Sequence, residues 1–263
     1  MIALVTGASS GIGEATARRL AREPGTELVL VARRAERLRA LAEEVGGATV
    51  VAADLTAADV PARIARTVHD EHGRLDLLVN NAGAAWRCTF GEGGWENVHR
   101  HMELNFDAQV RLTEALLALL RSSAPSAIVN VASTAGRVSR AYSGAYSASK
   151  FALIGWTDAL HLEEAAHGVH VGLVLPGYIA TEGFPQRELV DRRLTRWIVS
   201  TPERVAEAIV EAGPGGRAER YVPRPYWLAA TARVLAPRLV RRATGDGRVA
   251  RAMRTSTRAG DHR

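Results

Sequence analysis

The chain contains one cysteine, Cys88, among its 263 residues, and only one of its 34 basic residues is a lysine. A single cysteine excludes both a disulfide framework and a cysteine-based zinc site. The chain has no apolar run approaching the ~18 residues of a membrane span, and its first apolar run ends at Gly7, too early for a secretory signal. With 47% hydrophobic and 24% charged residues, the composition is typical of a soluble globular protein. We therefore expect a cytoplasmic location.

Positive charge is concentrated near the C-terminus. Residues 217–263 hold twelve arginines and three acidic residues, and so carry a charge of +9, whereas the whole chain carries +6. Residues 1–216 are therefore mildly acidic. Basic segments attract nucleic acids and anionic membranes, but no aromatic residues alternate with these arginines, so nucleic-acid binding is not expected.

Short apolar runs alternate with helical patterns over most of the chain. The runs are apolar throughout, as in strands that are buried on both faces of a parallel sheet. The alternation predicts a doubly wound α/β fold, with helices on both faces of one sheet, in a single domain at residues 1–223. The expected strands are residues 2–6, 27–32, 48–52, 75–80, 127–132, 169–175 and 220–222. The expected helices are residues 11–23, 35–45, 57–72, 95–120, 143–167 and 202–212.

Small, polar or charged residues follow six successive predicted strands. In an open parallel sheet, ligands bind beyond the carboxyl ends of the strands, so these residues are expected to meet in one site. In chain order they begin at Gly7, Arg33, Asp54, Asn81, Ser133 and Pro176.

Gly7, Gly11 and Gly13 fall where the first strand turns into the first helix. Glycine permits a tight turn and a close approach of the backbone to a pyrophosphate, whose charge is met by helix N-terminal amides. A tight turn alone would also explain three glycines. Their position in the first βαβ unit, however, predicts a dinucleotide site.

The residue about 20 positions beyond the last glycine normally contacts the adenosine ribose. That residue is Arg33, followed by Arg34, and no acidic residue occurs between Glu27 and Glu36. An acidic residue would repel a 2′-phosphate, whereas the planar guanidinium is suited to binding one. The sequence therefore predicts NADP(H) in preference to NAD(H). The alternative is that both arginines are solvated at the start of a helix.

Tyr146 and Lys150 are four residues apart in a predicted helix and so share one of its faces. A phenol with a pKa near 10 becomes a useful base near pH 7 only if its anion gains ~4 kcal/mol of stabilisation, part of which the ammonium would supply. Ser133, at the end of the fifth strand, could donate a hydrogen bond to a carbonyl oxygen where negative charge develops. The alternatives are a surface pair and a turn serine.

These motifs together resemble the short-chain dehydrogenase/reductase family over about residues 2–223. The resemblance implies hydride transfer between NADP(H) and a carbonyl or secondary alcohol, the strand order 3-2-1-4-5-6-7, and a homodimer or homotetramer. The motifs that support it are Thr6-Gly7 with Gly11 and Gly13, Asn80 to Gly83, Ser133, Tyr146 with Lys150, and Pro176-Gly177.

The resemblance also assigns roles to individual residues. It implies that Ser133 orients the carbonyl, Tyr146 is the general acid/base, Lys150 tunes that phenol, and Asn105 holds a proton-relay water. The implied cofactor contacts are Gly7, Ser9, Ser10, Gly11, Ile12, Gly13, Arg33, Arg34, Asp54, Leu55, Asn81, Ala82, Gly83, Tyr146, Lys150, Pro176, Gly177, Ile179 and Thr181. No metal site is expected, because His161 and His167 are not four residues apart, as two ligands on one zinc-binding helix would be.

Residues 182–201 correspond to the family's substrate lid, and their apolar residues, with Trp86 and Phe90 as an opposite wall, suggest an apolar substrate. The basic extension at residues 224–263 reads as a helix that Pro237 kinks or ends, followed by a disordered end. That helix could dock on the body, on a partner subunit, or on an anionic membrane. A cofactor-binding regulatory protein without turnover is the alternative function, although such proteins commonly lack the tyrosine and lysine pair.

Overall fold

Seven parallel strands form the central sheet of the protein, whose computed structural model describes residues 1–180 and 199–245. Across the sheet the strands lie in the order β3-β2-β1-β4-β5-β6-β9. Because β9 is the seventh strand of this sheet in chain order, this is the order 3-2-1-4-5-6-7 that the family resemblance implied. These strands are β1 Ile2–Thr6, β2 Glu27–Ala32, β3 Thr49–Ala52, β4 Leu77–Asn80, β5 Ser126–Val131, β6 Val169–Pro176 and β9 Glu219–Val222. A separate parallel pair joins β7 Tyr178–Ile179 to β8 Val199–Ser200.

Helices cover both faces of the sheet. The α-helices in the described residues are α1 Gly11–Leu20, α2 Ala35–Glu44, α3 Val60–His72, α4 Phe90–Met102, α5 Ala108–Ser122, α6 Gly144–Glu164, α7 Pro202–Ala212, α8 Tyr226–Leu235 and α9 Pro237–Gly245. Helices α1, α2 and α7 pack on one face, and α3, α5 and α6 pack on the other. The predicted three-layer α/β/α Rossmann fold is confirmed.

Strand β1 shows why the strand sequences are apolar without alternation. Ala3 and Val5 enter the core under α1, α2 and α7, whereas Ile2 and Leu4 enter the core under α3, α5 and α6. Every residue of the strand is buried. Burial of apolar surface contributes ~25 cal/mol per Å², so a strand buried on both faces is stabilised more than a strand buried on one face.

The helix expected at residues 95–120 is not continuous. A first helical turn begins earlier, at Phe90, and the chain leaves helical geometry at Gly94 (φ 49°) before the helix continues from Trp95. A π-helical segment, Glu103–Asp107, then separates α4 from α5. The earlier start has a local cause, because Thr89 and Glu92 form a reciprocal capping box at the N-terminus of α4. The π-helical segment, a rare conformation that occurs frequently at functional sites, contains Asn105.

The chain continues beyond β9 as α8 and α9, which Ala236 separates. Pro237 begins α9, so it ends the preceding helix as the sequence predicted. No residue of α8 is buried. Within residues 1–180 and 199–245, none of the helices combines the length and apolar character that crossing a bilayer requires.

Candidate functional site

A cleft of about 690 Å³ lies beyond the carboxyl ends of the strands. Most of the residues predicted from the sequence as site residues line it. From the turn after β1 to the segment after β6, they are Gly7, Ser9, Ser10, Gly11, Ile12, Arg33, Arg34, Asp54, Leu55, Asn81, Ala82, Gly83, Ser133, Tyr146, Lys150, Pro176, Gly177 and Ile179. Thr181 and most of the expected lid, residues 182–198, lie outside the described residues.

The glycine turn leaves backbone amides available to an anion. Gly7 and Gly11 have positive φ values of 67° and 57°, which favour glycine. A Cβ on Gly13 would lie 2.3 Å from the Gly7 carbonyl oxygen, so this position also needs glycine. Ser10 precedes α1, and its side chain makes no capping hydrogen bond. The first amides of α1 are therefore suited to a pyrophosphate, which fits a dinucleotide cofactor.

Asn81 joins the glycine turn to the end of β4. Its Nδ2 donates to the Thr6 carbonyl oxygen at 2.8 Å, and its backbone N–H donates to Thr6 Oγ1 at 2.9 Å. The backbone N–H of Ala82 also donates to Thr6 Oγ1, at 3.0 Å. These bonds hold the ends of neighbouring strands together at the cleft. Asn81 therefore has a structural role in addition to the cofactor contact predicted for it.

Two arginines and an aspartate occupy the expected adenosine end of the cleft. Arg34 donates from Nε to Ser9 Oγ at 3.2 Å, and from its terminal nitrogen to the Ser9 carbonyl oxygen at 3.1 Å. Arg33 is exposed at the same edge. Asp54 Oδ1 accepts hydrogen bonds from the Thr56 backbone and hydroxyl. The bond from the Thr56 backbone is the main cause that holds the pKa of Asp54 below its usual range, and Arg33 adds to the effect.

Ser133 and Tyr146 lie together at the other end of the cleft. Ser133 Oγ accepts from the Ala135 N–H at 3.1 Å and donates to the Pro176 carbonyl oxygen at 3.3 Å, which fixes its orientation. Burial raises the pKa of Tyr146, while a hydrogen bond with Ser133 and the charges of Arg87 and Arg140 oppose the rise. The phenol of the protein alone is therefore a weaker acid than free tyrosine, not the stronger acid expected from the sequence.

The position of Lys150 explains that difference. Its Nζ donates to the Val131 carbonyl oxygen at 2.9 Å and lies 6.0 Å from the centroid of the Tyr146 ring. The residue is 3% exposed, and burial lowers its pKa to about 7. In the protein alone, the amine is thus only partly protonated near neutral pH and supplies less positive charge than an exposed lysine would.

Asn105 is buried behind the cleft and does not line it directly. Its Oδ1 accepts from the Ala84 N–H at 2.9 Å, and its Nδ2 donates to the Ala84 carbonyl oxygen at 2.9 Å and to Ser149 Oγ at 3.1 Å. The π-helical segment thus connects the turn after β4 to α6, the helix of Tyr146 and Lys150. This contact places Asn105 near the catalytic cluster.

Several cleft residues were not predicted from the sequence. Arg87, Arg100, Arg140 and Tyr178 line the cleft together with Tyr146. The chain gives only a weak signal for them: Arg87 follows the Asn81 to Gly83 motif by four residues, and Arg140 precedes Tyr146 by six. Arg87 and Arg140 lie in irregular segments, whose conformations periodicity does not encode.

One predicted wall residue is correct and one is wrong. Trp86 lines the cleft, and its backbone N–H donates to His101 Nε2 at 3.0 Å. Phe90 is not among the lining residues and is 77% exposed, because it starts α4 at the surface. Burial lowers the pKa of His101, whose Nδ1 contacts the Asn97 carbonyl oxygen at 2.6 Å, so this histidine is a neutral support for Trp86.

Comparisons with known proteins agree with this geometry. Residues 1–189 match the family model described as short chain dehydrogenase. The ketoacyl reductase HetN of a Nostoc species is 35% identical over 216 residues, which are 80% of this chain and 74% of that protein. Dehydrogenase/reductase SDR family member 7B of Danio rerio is 33% identical, over 68% of this chain and 61% of its own length. The oxidoreductase YxnA of Bacillus subtilis is 34% identical, over 92% of this chain and 70% of its own.

Proposed function

This chain belongs to the short-chain dehydrogenase/reductase family and is a hydride-transfer oxidoreductase with a nicotinamide cofactor, and on that premise we propose that it uses NADP(H) to interconvert a carbonyl group and a secondary alcohol. The observation that supports this reaction is that Ser133, Tyr146 and Lys150 lie at one end of a cleft whose other end presents the glycine turn. We assign residues 1–223 to the catalytic domain and residues 224–263 to an extension.

The raised pKa of Tyr146 suits the reduction of a carbonyl. A phenol that stays protonated at neutral pH can donate its proton to the substrate oxygen as negative charge develops there. The Ser133 hydroxyl, which donates to the Pro176 carbonyl oxygen in the protein alone, can rotate its single O–H to donate a second hydrogen bond to the same substrate oxygen. When bound, the nicotinamide supplies or accepts the hydride.

Lys150 is suited to restoring the proton on Tyr146. An amine with a pKa of about 7 both gives and takes a proton at neutral pH. The bond to Val131 holds Nζ on the Tyr146 side of α6, and we propose that Asn105 positions a water in the same relay. Because burial opposes the ammonium form, negative charge on Tyr146 would favour protonation of Lys150 and couple the two groups.

Arg33 and Arg34 support the preference for NADP(H). Arg34 is held to the glycine turn through Ser9, and Arg33 remains exposed beside it. Two guanidinium groups at the position where the adenosine ribose is bound favour a 2′-phosphate over a 2′-hydroxyl. Asp54 does not oppose this, because its carboxylate is bonded to Thr56.

Aromatic side chains support a substrate with an apolar body. Trp86 and Tyr178 line the reaction end of the cleft, together with Leu104 and Ile179. The proposed function is tested by a panel of ketones and secondary alcohols assayed with NADPH, NADP⁺ and their NAD counterparts. We expect reduction of apolar ketones with NADPH. Cofactor binding without turnover across the panel would instead favour a regulatory protein.

We propose a cytoplasmic homodimer or homotetramer that contacts an anionic membrane surface through α8 and α9. Trp227, Leu228, Val234, Leu235 and Leu239 are 51–78% exposed. Residues 223–245 contain five arginines and no acidic residue. Tyr226, the first residue of α8, packs against Gly177 of the body, but the larger apolar side chains that follow it in the helix remain exposed, so most of the apolar face is not docked. Exposed apolar side chains combined with positive charge complement an anionic lipid surface.

A further inference from the structure

The first residue of α8 reaches back to the segment that follows β6. A Cβ on Gly177 would lie 2.6 Å from Tyr226 Cζ and closer still to Cε2, so the Tyr226 ring lies directly against the Gly177 backbone. The Tyr226 side chain is half-buried, whereas Trp227 and Leu228, which follow it in α8, are more than half exposed. The C-terminal extension therefore contacts the wall of the cleft through Tyr226.

Gly177 is held by a hydrogen bond as well as by this ring. Its N–H donates to the carbonyl oxygen of Val222, the last residue of β9, at 2.8 Å. Only three residues separate Val222 from Tyr226, and the Tyr226 N–H donates to the Pro223 carbonyl oxygen at 3.3 Å. The end of β9 and the start of α8 thus hold Gly177 together, one at its amide and the other at its Cα.

The contact extends to Tyr178. Burial raises the pKa of Tyr226 to about 12, and a hydrogen bond with the Tyr178 backbone opposes the rise. Tyr178 and Ile179 form β7, which pairs with Val199 and Ser200 of β8. The expected lid lies between these two strands in the sequence. Tyr226 therefore supports the strand that leads into the expected lid.

The segment that Tyr226 holds lies at the reaction end of the cleft. The Pro176 carbonyl oxygen accepts from Ser133 Oγ at 3.3 Å, and Gly177 lines the cleft together with Ser133 and Tyr146. Hydride transfer to a carbonyl beside these two side chains requires the nicotinamide of the bound cofactor at this end. Gly177 is therefore expected to contact the nicotinamide half of the cofactor rather than the adenosine half.

We propose that Tyr226 is a positioning residue of the reaction, which fixes Gly177 and Tyr178 where the nicotinamide is bound and so gives the C-terminal extension a part in catalysis. This inference rests on the proposed function, because it concerns the cofactor and the reaction of the same cleft. Tyr226 lies beyond residues 1–189, which match the family model, so that match assigns it no role.

The physical reason is steric. A glycine restricts its own backbone less than any other residue does, so the ring of Tyr226 supplies a restraint that Gly177 cannot supply itself. A displacement of the reacting groups by ~1 Å can lower the rate ~100-fold. Loss of the ring should therefore affect hydride transfer and the binding of the nicotinamide, but not the binding of the adenosine half.

The first test separates the two halves of the cofactor. Calorimetry measures the Kd of NADPH and of 2′-phospho-ADP-ribose, which lacks the nicotinamide, for wild type and Tyr226→Ala; NADH and ADP-ribose take their place if the wild type prefers NADH. The Kd of the whole cofactor should rise about fivefold or more, while that of the fragment stays within about twofold of wild type. Equal changes for both ligands, or no change for either, would overturn the inference.

The second test follows the reaction in single turnovers with saturating cofactor. Ketone reduction should be about 10- to 100-fold slower in Tyr226→Ala, whereas Tyr226→Phe, which keeps the ring against Gly177, should stay within about threefold of wild type. Phe90→Ala is the matched control, because Phe90 is also the first residue of a helix but is 77% exposed and does not line the cleft. A wild-type rate in Tyr226→Ala, or an equally slow Tyr226→Phe, would refute the role of the ring.

The third test needs neither cofactor nor turnover. Gly177 does not have a positive φ, and the three heavy atoms closest to an added methyl all belong to the Tyr226 ring. Gly177→Ala should therefore lower the urea midpoint of unfolding of the cofactor-free protein, but not in the Tyr226→Ala background. Equal decreases in both backgrounds would show that the two residues are not coupled, and the inference would fail.

The inference can fail separately from the proposed function. If the wild type reduces no ketone, the proposed function is contradicted, and the ratio of the two Kd values then decides the inference alone. A ratio that is about fivefold larger in Tyr226→Ala than in wild type supports it, and an unchanged ratio overturns it. If Tyr226→Ala does not fold, Tyr226→Leu, which keeps an apolar side chain without a flat ring, replaces it in every measurement.

Discussion

Lys150 offers a sharp test of the electrostatics of the site, because it is the only lysine in the chain. Its pKa is lowered from 10.5 to about 7 by burial. A shift of that size corresponds to ~5 kcal/mol of destabilisation of the ammonium form by the fold, at ~1.4 kcal/mol per pKa unit. The cost of keeping this lysine should therefore depend strongly on pH.

The direction follows from proton binding. Below pH 7, Lys150 is protonated in both the folded and the unfolded chain, so the folded state bears the full cost. Between about pH 7 and 10.5, only the unfolded chain retains the proton, and the free energy of unfolding rises with pH. Replacement of Lys150 by methionine removes this dependence, and it also removes the bond to Val131 at every pH.

We therefore expect the difference in free energy of unfolding between Lys150→Met and wild type to change by ~2–3 kcal/mol between pH 6 and pH 9. The change favours the variant at pH 6. Urea unfolding of both cofactor-free proteins measures this difference, and the other titrating groups cancel in the comparison. A ¹³Cε-lysine label provides a direct readout, because it gives one resonance. A midpoint near pH 7 is expected in the folded protein. A midpoint above pH 9, or parallel stability curves, would refute the reasoning.

Three further predictions concern the cofactor and the C-terminal helices. Arg33→Asp should raise KM for NADPH by about 100-fold and leave KM for NADH nearly unchanged, and a loss shared by both cofactors would contradict the assigned role. Gly13→Ala should destabilise the protein by ~1–3 kcal/mol in urea unfolding and weaken NADPH binding in a titration, because the added methyl meets the Gly7 carbonyl oxygen. Gly155→Ala is the control: this glycine of α6 has open space around it, so the substitution should be neutral or stabilising in the same assays. The double substitution Leu235→Glu with Leu239→Glu should abolish co-flotation with phosphatidylglycerol vesicles, whereas Leu162→Glu, which alters an equally exposed leucine, should not; a change in oligomeric state without a change in flotation would assign the surface to a second copy of the chain.

The sheet could be predicted because its strands are buried on both faces. Continuous apolar runs such as Ile2–Thr6 allow few alternatives once they alternate with helical patterns. The break within residues 95–120 could not be predicted. Its π-helical segment is stabilised by contacts of Asn105 with Ala84 and Ser149, which are distant in sequence. Local periodicity contains no information about such contacts.

The candidate site, like the fold, could be predicted from the sequence only in part. Residues placed directly by a strand end or a helix face, such as Ser133, Tyr146 and Lys150, could be predicted to meet. The electrostatics could not, because the pKa of Tyr146 depends on burial and on Arg87 and Arg140, which irregular segments bring into the cleft. The spacing of four residues between Tyr146 and Lys150 also does not predict that Lys150 Nζ bonds to the Val131 carbonyl oxygen.

The central claim is that the Tyr146 phenol exchanges a proton with the substrate. The most direct measurement is single-turnover reduction of a ketone by Tyr146→Phe, with the Kd for NADPH measured on the same sample. Tyr142→Phe is the control, since Tyr142 lies one turn earlier in the chain and does not line the cleft. The account predicts that Tyr146→Phe binds NADPH normally and reduces the ketone at least 10³-fold more slowly, while Tyr142→Phe matches wild type. Wild-type turnover by Tyr146→Phe would contradict the account.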